Sequence, residues 1–268
     1  MSLAEKVNTA LERIKFANEM RERLFTEPFY VAYSGGKDSD CIRILFELSG
    51  APFELWHNHT TVDAPETVHY VRSIPGIHIS YPELSMWRLI VKKGMPPTRL
   101  MRYCCSELKE RGGEGRFVVT GVRWDESARR KQIHDSLEVA PKGYKNVVIL
   151  NADNAENRRQ FEHCALKGKR VFNPIVDWSD DDVWAFLNHY GCKSNPLYEC
   201  GFKRVGCVGC PLARRKIQQM EFERYPRYYD AYLRAFQKMV DKRIADGKPV
   251  TTWTNGQDVM DWWLYAQK

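Results

Sequence analysis

Between an apolar run and a helical pattern, residues 29–41 read FYVAYSGGKDSDC, placing Ser34, Gly35, Gly36, Lys37, Asp38 and Ser39 in one short turn. These residue types suit the binding of phosphate or sulfate. The first N–H groups of a helix lack intrahelical partners and its dipole favours negative charge there. Glycines let the backbone approach an anion closely, Lys37 supplies a cation, and Ser34 and Ser39 supply hydroxyl donors. The spacing is neither G-x-x-x-x-G-K-[ST] nor G-x-G-x-x-G, so the turn is a different kind of phosphate cradle.

Cysteine spacing points to a second chemistry. RYCCSELKE carries Cys104 and Cys105, and RVGCVGCPL carries Cys207 and Cys210 as a C-x-x-C pair. Thiolates so spaced can face one soft centre, and two pairs brought together supply four sulfur ligands. Such a site would clip together segments 102 residues apart, counted from Cys105 to Cys207. An iron–sulfur cluster and a structural zinc are both compatible with this spacing, and a redox dithiol at Cys207 and Cys210 is a third possibility. Cys41, Cys164, Cys192 and Cys200 are scattered and read as small apolar residues.

Elements that place these groups follow from periodicity. Phe29–Tyr33 reads as a buried strand. The helix after it is expected to be capped by Asp38 or Ser39, with its apolar face at Ile42, Leu45 and Phe46 and its end at Gly50. FELWHNHT, IHISYP and RFVVTGVRW read as further strands, while APETVHYVRSI, MWRLIVKKG and CCSELKERGG read as helices. Alternation of this kind implies a parallel sheet with helices on both faces. Ligands of such folds bind at the carboxyl ends of strands, where Ser34–Ser39 and Gly121–Arg123 both fall. VVILN reads as a strand and NADNAENRRQ as a loop or irregular helix. In SDDDVWAFLNHYG, Ser179 caps a helix and Asp180 to Asp182 complement its dipole. The tail from Phe222 is basic, aromatic and helical, its tyrosines spaced for helix packing. The expected organisation is an N-terminal helix over 1–28, a nucleotide-binding α/β domain over 29–178, and a mainly helical, cysteine-containing extension over 179–268.

With 268 residues, 43% of them hydrophobic and 28% charged, the chain can bury one substantial core, and no apolar run approaches the roughly 20 residues of a membrane span. A charged, amphipathic start without an apolar signal-peptide centre places it in the cytoplasm. The net charge of +7 suits a polyanionic partner, DNA or tRNA. Nothing in the sequence sets the oligomeric state.

SGGKDS resembles the SGGxDS signature of the PP-loop ATP pyrophosphatases, whose fold is adenine nucleotide alpha hydrolase-like. TTVDAPET, RYCCSELKE, GVRWDESARR, NPIVDWSDDDVW and NPLYECGFKRVGCVGCP extend the resemblance, over about residues 29–212, to the phosphoadenosine phosphosulfate (PAPS) reductase family. The resemblance implies an adenine nucleotide held at Ser34–Ser39, Gly121 and Arg123, and a [4Fe-4S] cluster on Cys104, Cys105, Cys207 and Cys210. Reductases of the family are similar to one another in an E-C-G-[LI]-H segment near the C-terminus. Here no cysteine follows Cys210, and ECGFK at 199–203 is a partial echo. The expected activity is therefore that of a sister group: ATP pyrophosphatase chemistry that activates an acceptor, nucleic acid foremost, for sulfur transfer. Lys37, Asp38 and Arg123 are the expected catalytic residues. Asp38, Asp63 or Glu66 would hold Mg²⁺, Arg123, Arg129 and Arg130 would clamp phosphate, and Glu126 would orient them. A cysteine desulfurase or similar protein would donate the sulfur. The alternatives are an adenylyl sulfate or PAPS reductase releasing sulfite, and a non-catalytic nucleotide and Fe–S module.

Overall fold

The computed structural model describes residues 1–127, 131–132, 134–141, 148–150, 168–248 and 253–266. Packing divides the chain into two compact units that interleave along the sequence. The first comprises Met1–His57, His69–Ile79 and Gly112–Val205, the second Asn58–Val68, Ser80–Arg111 and Gly206–Lys268. This differs from the expected linear cut after residue 178. The reason is packing: helix α6 (Asp180–His189) lies on α2 (Lys37–Ser49) and so stays with the sheet.

A seven-stranded sheet organises the first unit. Its strands are β1 (Phe29–Ala32), β2 (Phe53–Asn58), β3 (Ile77–Ser80), β4 (Phe117–Val119), β5 (Leu137–Pro141), β6 (Val148–Leu150) and β7 (Gly168–Phe172), in the order β3-β2-β1-β4-β7-β5-β6. β1 pairs in parallel with β2 and with β4, Tyr30 lying opposite Glu54 and Val118, and β4 pairs in parallel with β7. The sheet is thus mostly parallel, as expected. β5 and β6 depart from that pattern by adding an antiparallel edge beside β7. The chain runs from β1 toward β3 on one side and resumes at β4 on the other. The gap between β1 and β4 is therefore the switch point at which open α/β sheets form their ligand crevice.

Aromatic rings fill this unit's core. Phe29 packs edge-on to Phe46 at 5.2 Å and lies 5.1 Å from Phe117, all three fully or nearly fully buried. Helix α1 (Leu3–Leu24) adds Ile14 and Ala17, and α6 adds Val183, Phe186 and Leu187. Burying one such side chain contributes about 1.5–3 kcal/mol, so the first turn of α2 rests on rigid ground.

The second unit is mainly helical, as the C-terminal pattern predicts. It contains α4 (Met86–Lys93), α5 (Tyr103–Leu108), α7 (Arg215–Arg224), α8 (Pro226–Ala245) and α9 (Gly256–Asp261). The aromatic tail is two helices rather than one, broken where Pro226 starts α8 after Tyr225. Tyr232 forms the centre of the core, 4.9 Å from both Trp87 and Trp263. Helix α3 (Pro65–Arg72) opens in this unit and ends in the first. Among the described residues no helix is long and apolar enough to cross a membrane.

Candidate functional site

After β1 the chain turns through Gly35, whose φ of 76° is a conformation that side chains resist. Gly36 is extended at φ −103° and occupies the N-cap of α2, which has no side-chain cap. The helix thus begins before Asp38 and Ser39, and the expectation that one of them caps it is corrected. Ser39 instead donates its Oγ to the Gly36 carbonyl at 2.6 Å, and the Asp38 carboxylate is free to turn sideways. Gly36 is confined by space rather than by φ. A Cβ there would stand 3.2 Å from the Tyr198 hydroxyl and 3.5 Å from Ser34 Oγ.

Segment 194–198 holds the turn in place. Asn195, 1% exposed, donates Nδ2 to the Gly35 carbonyl at 3.0 Å, and the Lys37 N–H donates to the Tyr198 hydroxyl at 2.9 Å. Ser194 donates Oγ to Asp40 at 3.0 Å, where the hydroxyls of Tyr33 and Tyr70 also donate, at 2.5 and 3.0 Å. Burial pushes the Asp40 carboxyl above its ordinary range, against the pull of these three donors.

Two buried cations converge beside the turn. Lys37 is 5% exposed and Arg123, delivered by the loop after β4, is 2% exposed. Arg123 Nε meets Asp38 Oδ1 at 2.7 Å, and its Nη2 meets Asp180 Oδ1 at 2.7 Å, the same oxygen that lies 3.1 Å from Lys37 Nζ. Burial works against the Arg123 charge, but Asp38 and Asp180 outweigh it and hold the guanidinium above its ordinary range. Burial likewise opposes the Asp180 charge, but Lys37 and Arg123 prevail and hold its carboxyl below the ordinary value. Gly121 permits this approach, because a Cβ on it would come within 3.0 Å of Asp38 Cβ.

Of the residues expected at this site, Ser34 to Ser39, Gly121 and Arg123 come together. Glu126 meets Arg123 at the backbone, accepting its N–H at 3.4 Å. Arg129 and Arg130 lie outside the described residues. Asp63 and Glu66 belong to the second unit and are already engaged there. Asp63 accepts the N–H and hydroxyl of Thr60 at 2.7 and 2.8 Å and faces His59 Nδ1 at 3.2 Å. Glu66 accepts Arg224 Nη2 at 2.8 Å and the Tyr225 hydroxyl at 2.7 Å. Each of the three acids expected as a magnesium ligand thus already has a protein partner, which for Asp38 is Arg123.

Sequence reasoning overlooked Asp180, Asn195 and Tyr198. A signal for Asp180 existed: one acid suffices to close the capping box with Ser179, and Asp182 does so. The run of three acids therefore leaves a surplus that dipole complementarity alone does not require.

The four cysteines expected to form a centre all lie in the second unit. Cys104 and Cys105 begin α5, and Cys207 forms a bridge to Asp63 while the Val208 N–H donates to the Val62 carbonyl at 2.8 Å. Gly209, at φ 70°, would place a Cβ 2.6 Å from the Phe222 ring, and its N–H donates to Glu221 at 2.7 Å. A hydrogen bond between the Cys104 and Cys105 side chains holds Cys105 below the ordinary thiol range and, together with burial, Cys104 above it. Burial pushes Cys207 up, against the opposing pull of Lys109, whose ammonium the Cys207 sulfur in turn holds above its ordinary range. Lys109 is thus a cation placed against sulfur, unmarked in the sequence. Among the described residues no three of these sulfurs gather within 4.8 Å of one another. A single zinc with 2.3 Å bonds would need its sulfurs only ~3.8 Å apart.

A family model described as the phosphoadenosine phosphosulfate reductase domain matches residues 28–213. An uncharacterised 37.8 kDa protein of Escherichia phage 186 is 29% identical over 145 residues, 54% of this chain and 38% of that protein. Adenosine 5'-phosphosulfate reductase of Allochromatium vinosum is 36% identical over 70 residues, 25% of this chain and 27% of that enzyme. The matched stretches span less than half the length of these relatives. The crystal structure of PAPS reductase from Candida auris in a phosphate complex aligns with a TM-score of 0.49 at 18% identity, covering 78% of this chain and 97% of that one.

Proposed function

The chain belongs to the phosphoadenosine phosphosulfate reductase domain family, and on that premise we propose that it is a PP-loop enzyme that uses ATP to activate an acceptor for sulfur transfer. The observation that carries this reading is the convergence of Lys37 and Arg123 on one oxygen at the N-terminus of α2. An acceptor oxygen attacks the α-phosphorus of ATP, the bond to the β-phosphate breaks, and pyrophosphate leaves. A sulfur nucleophile then displaces AMP from the acceptor. Negative charge grows on the pyrophosphate in the first step, where the two buried cations and the first-turn N–H groups of α2 stabilise it. Gly35, Gly36, Ser34 and Ser39 form the cradle. The net charge of +7 favours nucleic acid as the acceptor. A protein such as a cysteine desulfurase would supply the sulfur.

Cys104, Cys105, Cys207 and Cys210 supply an all-sulfur donor set that suits a [4Fe-4S] cluster, with zinc as the alternative, and Lys109 offsets thiolate charge. Bound there, the cluster would supply a one-electron or structural centre. In this reading the first unit carries the nucleotide chemistry and the second the cysteine centre. The place of action is the cytoplasm.

A second reading is reduction of adenylyl sulfate or PAPS. The similarity to adenosine 5'-phosphosulfate reductase favours it, and the exposed Cys200 would be the attacking thiol. Anaerobically purified protein given ATP, adenylyl sulfate and PAPS in turn separates the two. Pyrophosphate from ATP supports transfer; sulfite from either sulfonucleotide moves the assignment to the reductase. Binding with neither product leaves a non-catalytic module.

A further inference from the structure

The cation pair that marks the cradle is fully countered. Lys37 and Arg123 face three carboxylates: Asp38 at 2.7 Å and Asp125 at 3.7 Å from Arg123, and Asp180 on both cations. An incoming phosphate meets no surplus of positive charge, although the cradle's backbone and hydroxyls are arranged to receive one. The carboxylates differ in freedom. Asp38 has a side chain 24% exposed and holds the buried Arg123 directly, whereas the Asp180 side chain is 53% exposed and sits in the first turn of α6. Rotating Asp180 outward uncovers Lys37 Nζ, whose remaining carboxylate partner, Asp38, is 3.7 Å away. It also uncovers Arg123 Nη2, while Asp38 still holds Nε.

We propose that Asp180 is an occluding residue of the cradle, whose Oδ1 occupies the position of a ligand phosphate oxygen and must be displaced when the polyphosphate binds. A polyphosphate that reaches both cations replaces the two short ion pairs that Asp180 gives up. The cost of displacement falls on every ligand that needs this position, so Asp180 holds the affinity of the cradle for phosphate groups below what Lys37 and Arg123 alone would give. Helix α6 makes the displaced state available, because its N-terminus stabilises the carboxylate even when it points to water.

This inference rests on the cradle reading, and the test separates the two. Dissociation constants for inorganic phosphate, for inorganic pyrophosphate in EDTA, and for Mg-ATP are measured by calorimetry on the wild type, Asp180→Asn and Asp180→Ser. Removing one opposing charge within a few ångströms should tighten the binding of pyrophosphate about tenfold or more and that of phosphate by no larger a factor, with the gain shrinking as salt rises. Unchanged or weaker binding of both anions by a folded variant overturns the proposal while leaving the cradle intact. So does a variant that loses only Mg-ATP, since Asp180 would then act through the metal. A wild type that binds none of the three ligands overturns the cradle and this inference together.

Discussion

At the scale of single residues, adjacent glycines carry different constraints. Gly35 needs its positive φ, whereas Gly36 has an ordinary backbone and faces the Tyr198 hydroxyl 3.2 Å from where a Cβ would be. Gly36→Val should therefore fold, displace Tyr198 and fill the space an anion would enter, lowering ATP affinity at least about tenfold, or about 1.4 kcal/mol. A folded variant with wild-type affinity in equilibrium binding would contradict the cradle. Glu221 gives a prediction of another kind. Burial pushes its carboxyl up to about 7, against the Gly209 N–H that pulls it down. A group whose folded-state pKa is raised stabilises the fold below its unfolded value, and that contribution is lost as pH rises through about 7. From about pH 5 to 8 the wild type should lose roughly 2 kcal/mol on this account, which Glu221→Gln would abolish. Parallel pH profiles of Tm for the two proteins would show the difference.

Among the elements, the stretch from Ser194 to Tyr198 grips the phosphate-binding turn without belonging to it. Asn195→Ala leaves the Gly35 carbonyl without its side-chain donor, a loss of about 1–3 kcal/mol. Nucleotide affinity should fall by more than tenfold while the helical second unit keeps its secondary structure, as titration and circular dichroism would register. Locally encoded features were legible in the sequence. The strand, glycines and helix around Ser34 declare themselves through residue type within a dozen positions, as do the Ser179 cap and the paired cysteines. Features made by distant partners were not legible. Asp180 meets Arg123 across 57 residues and Asn195 meets Gly35 across 160, and no periodicity encodes either contact. VVILN declared β6, whereas β5 and its antiparallel pairing with β7 and β6 join residues far apart in the chain, and no local pattern encodes them.

For the molecule as a whole, the proposed cysteine centre would join two distant stretches of chain, so its loss should be felt beyond its ligands. Cys207→Ser, purified without oxygen, should hold less than half the wild-type iron and sulfide and unfold at lower temperature. One zinc and no iron in the wild type would replace the cluster with a zinc site. The +7 charge yields a separate expectation. DNA or tRNA binding should weaken steeply between low and moderate salt, because phosphate contacts release counterions, whereas ATP binding should weaken far less. Filter retention at two salt concentrations distinguishes them, and no retention at either would remove nucleic acid as the acceptor.

The interleaving of the two units has a consequence during synthesis. The chain passes between them at residues 57/58, 68/69, 79/80, 111/112 and 205/206, so the second unit cannot be completed before its last segment has emerged. At ~5–20 residues per second, the ribosome takes roughly 5–20 s to travel the 102 residues from Cys105 to Cys207. For that interval Cys104 and Cys105 exist as a nascent dithiol with no partners, open to oxidation or to capture by a metal carrier. Any cluster must be loaded after translation has passed Cys210, and cells short of iron or rich in oxidant would accumulate chains whose first unit is folded and whose second is not.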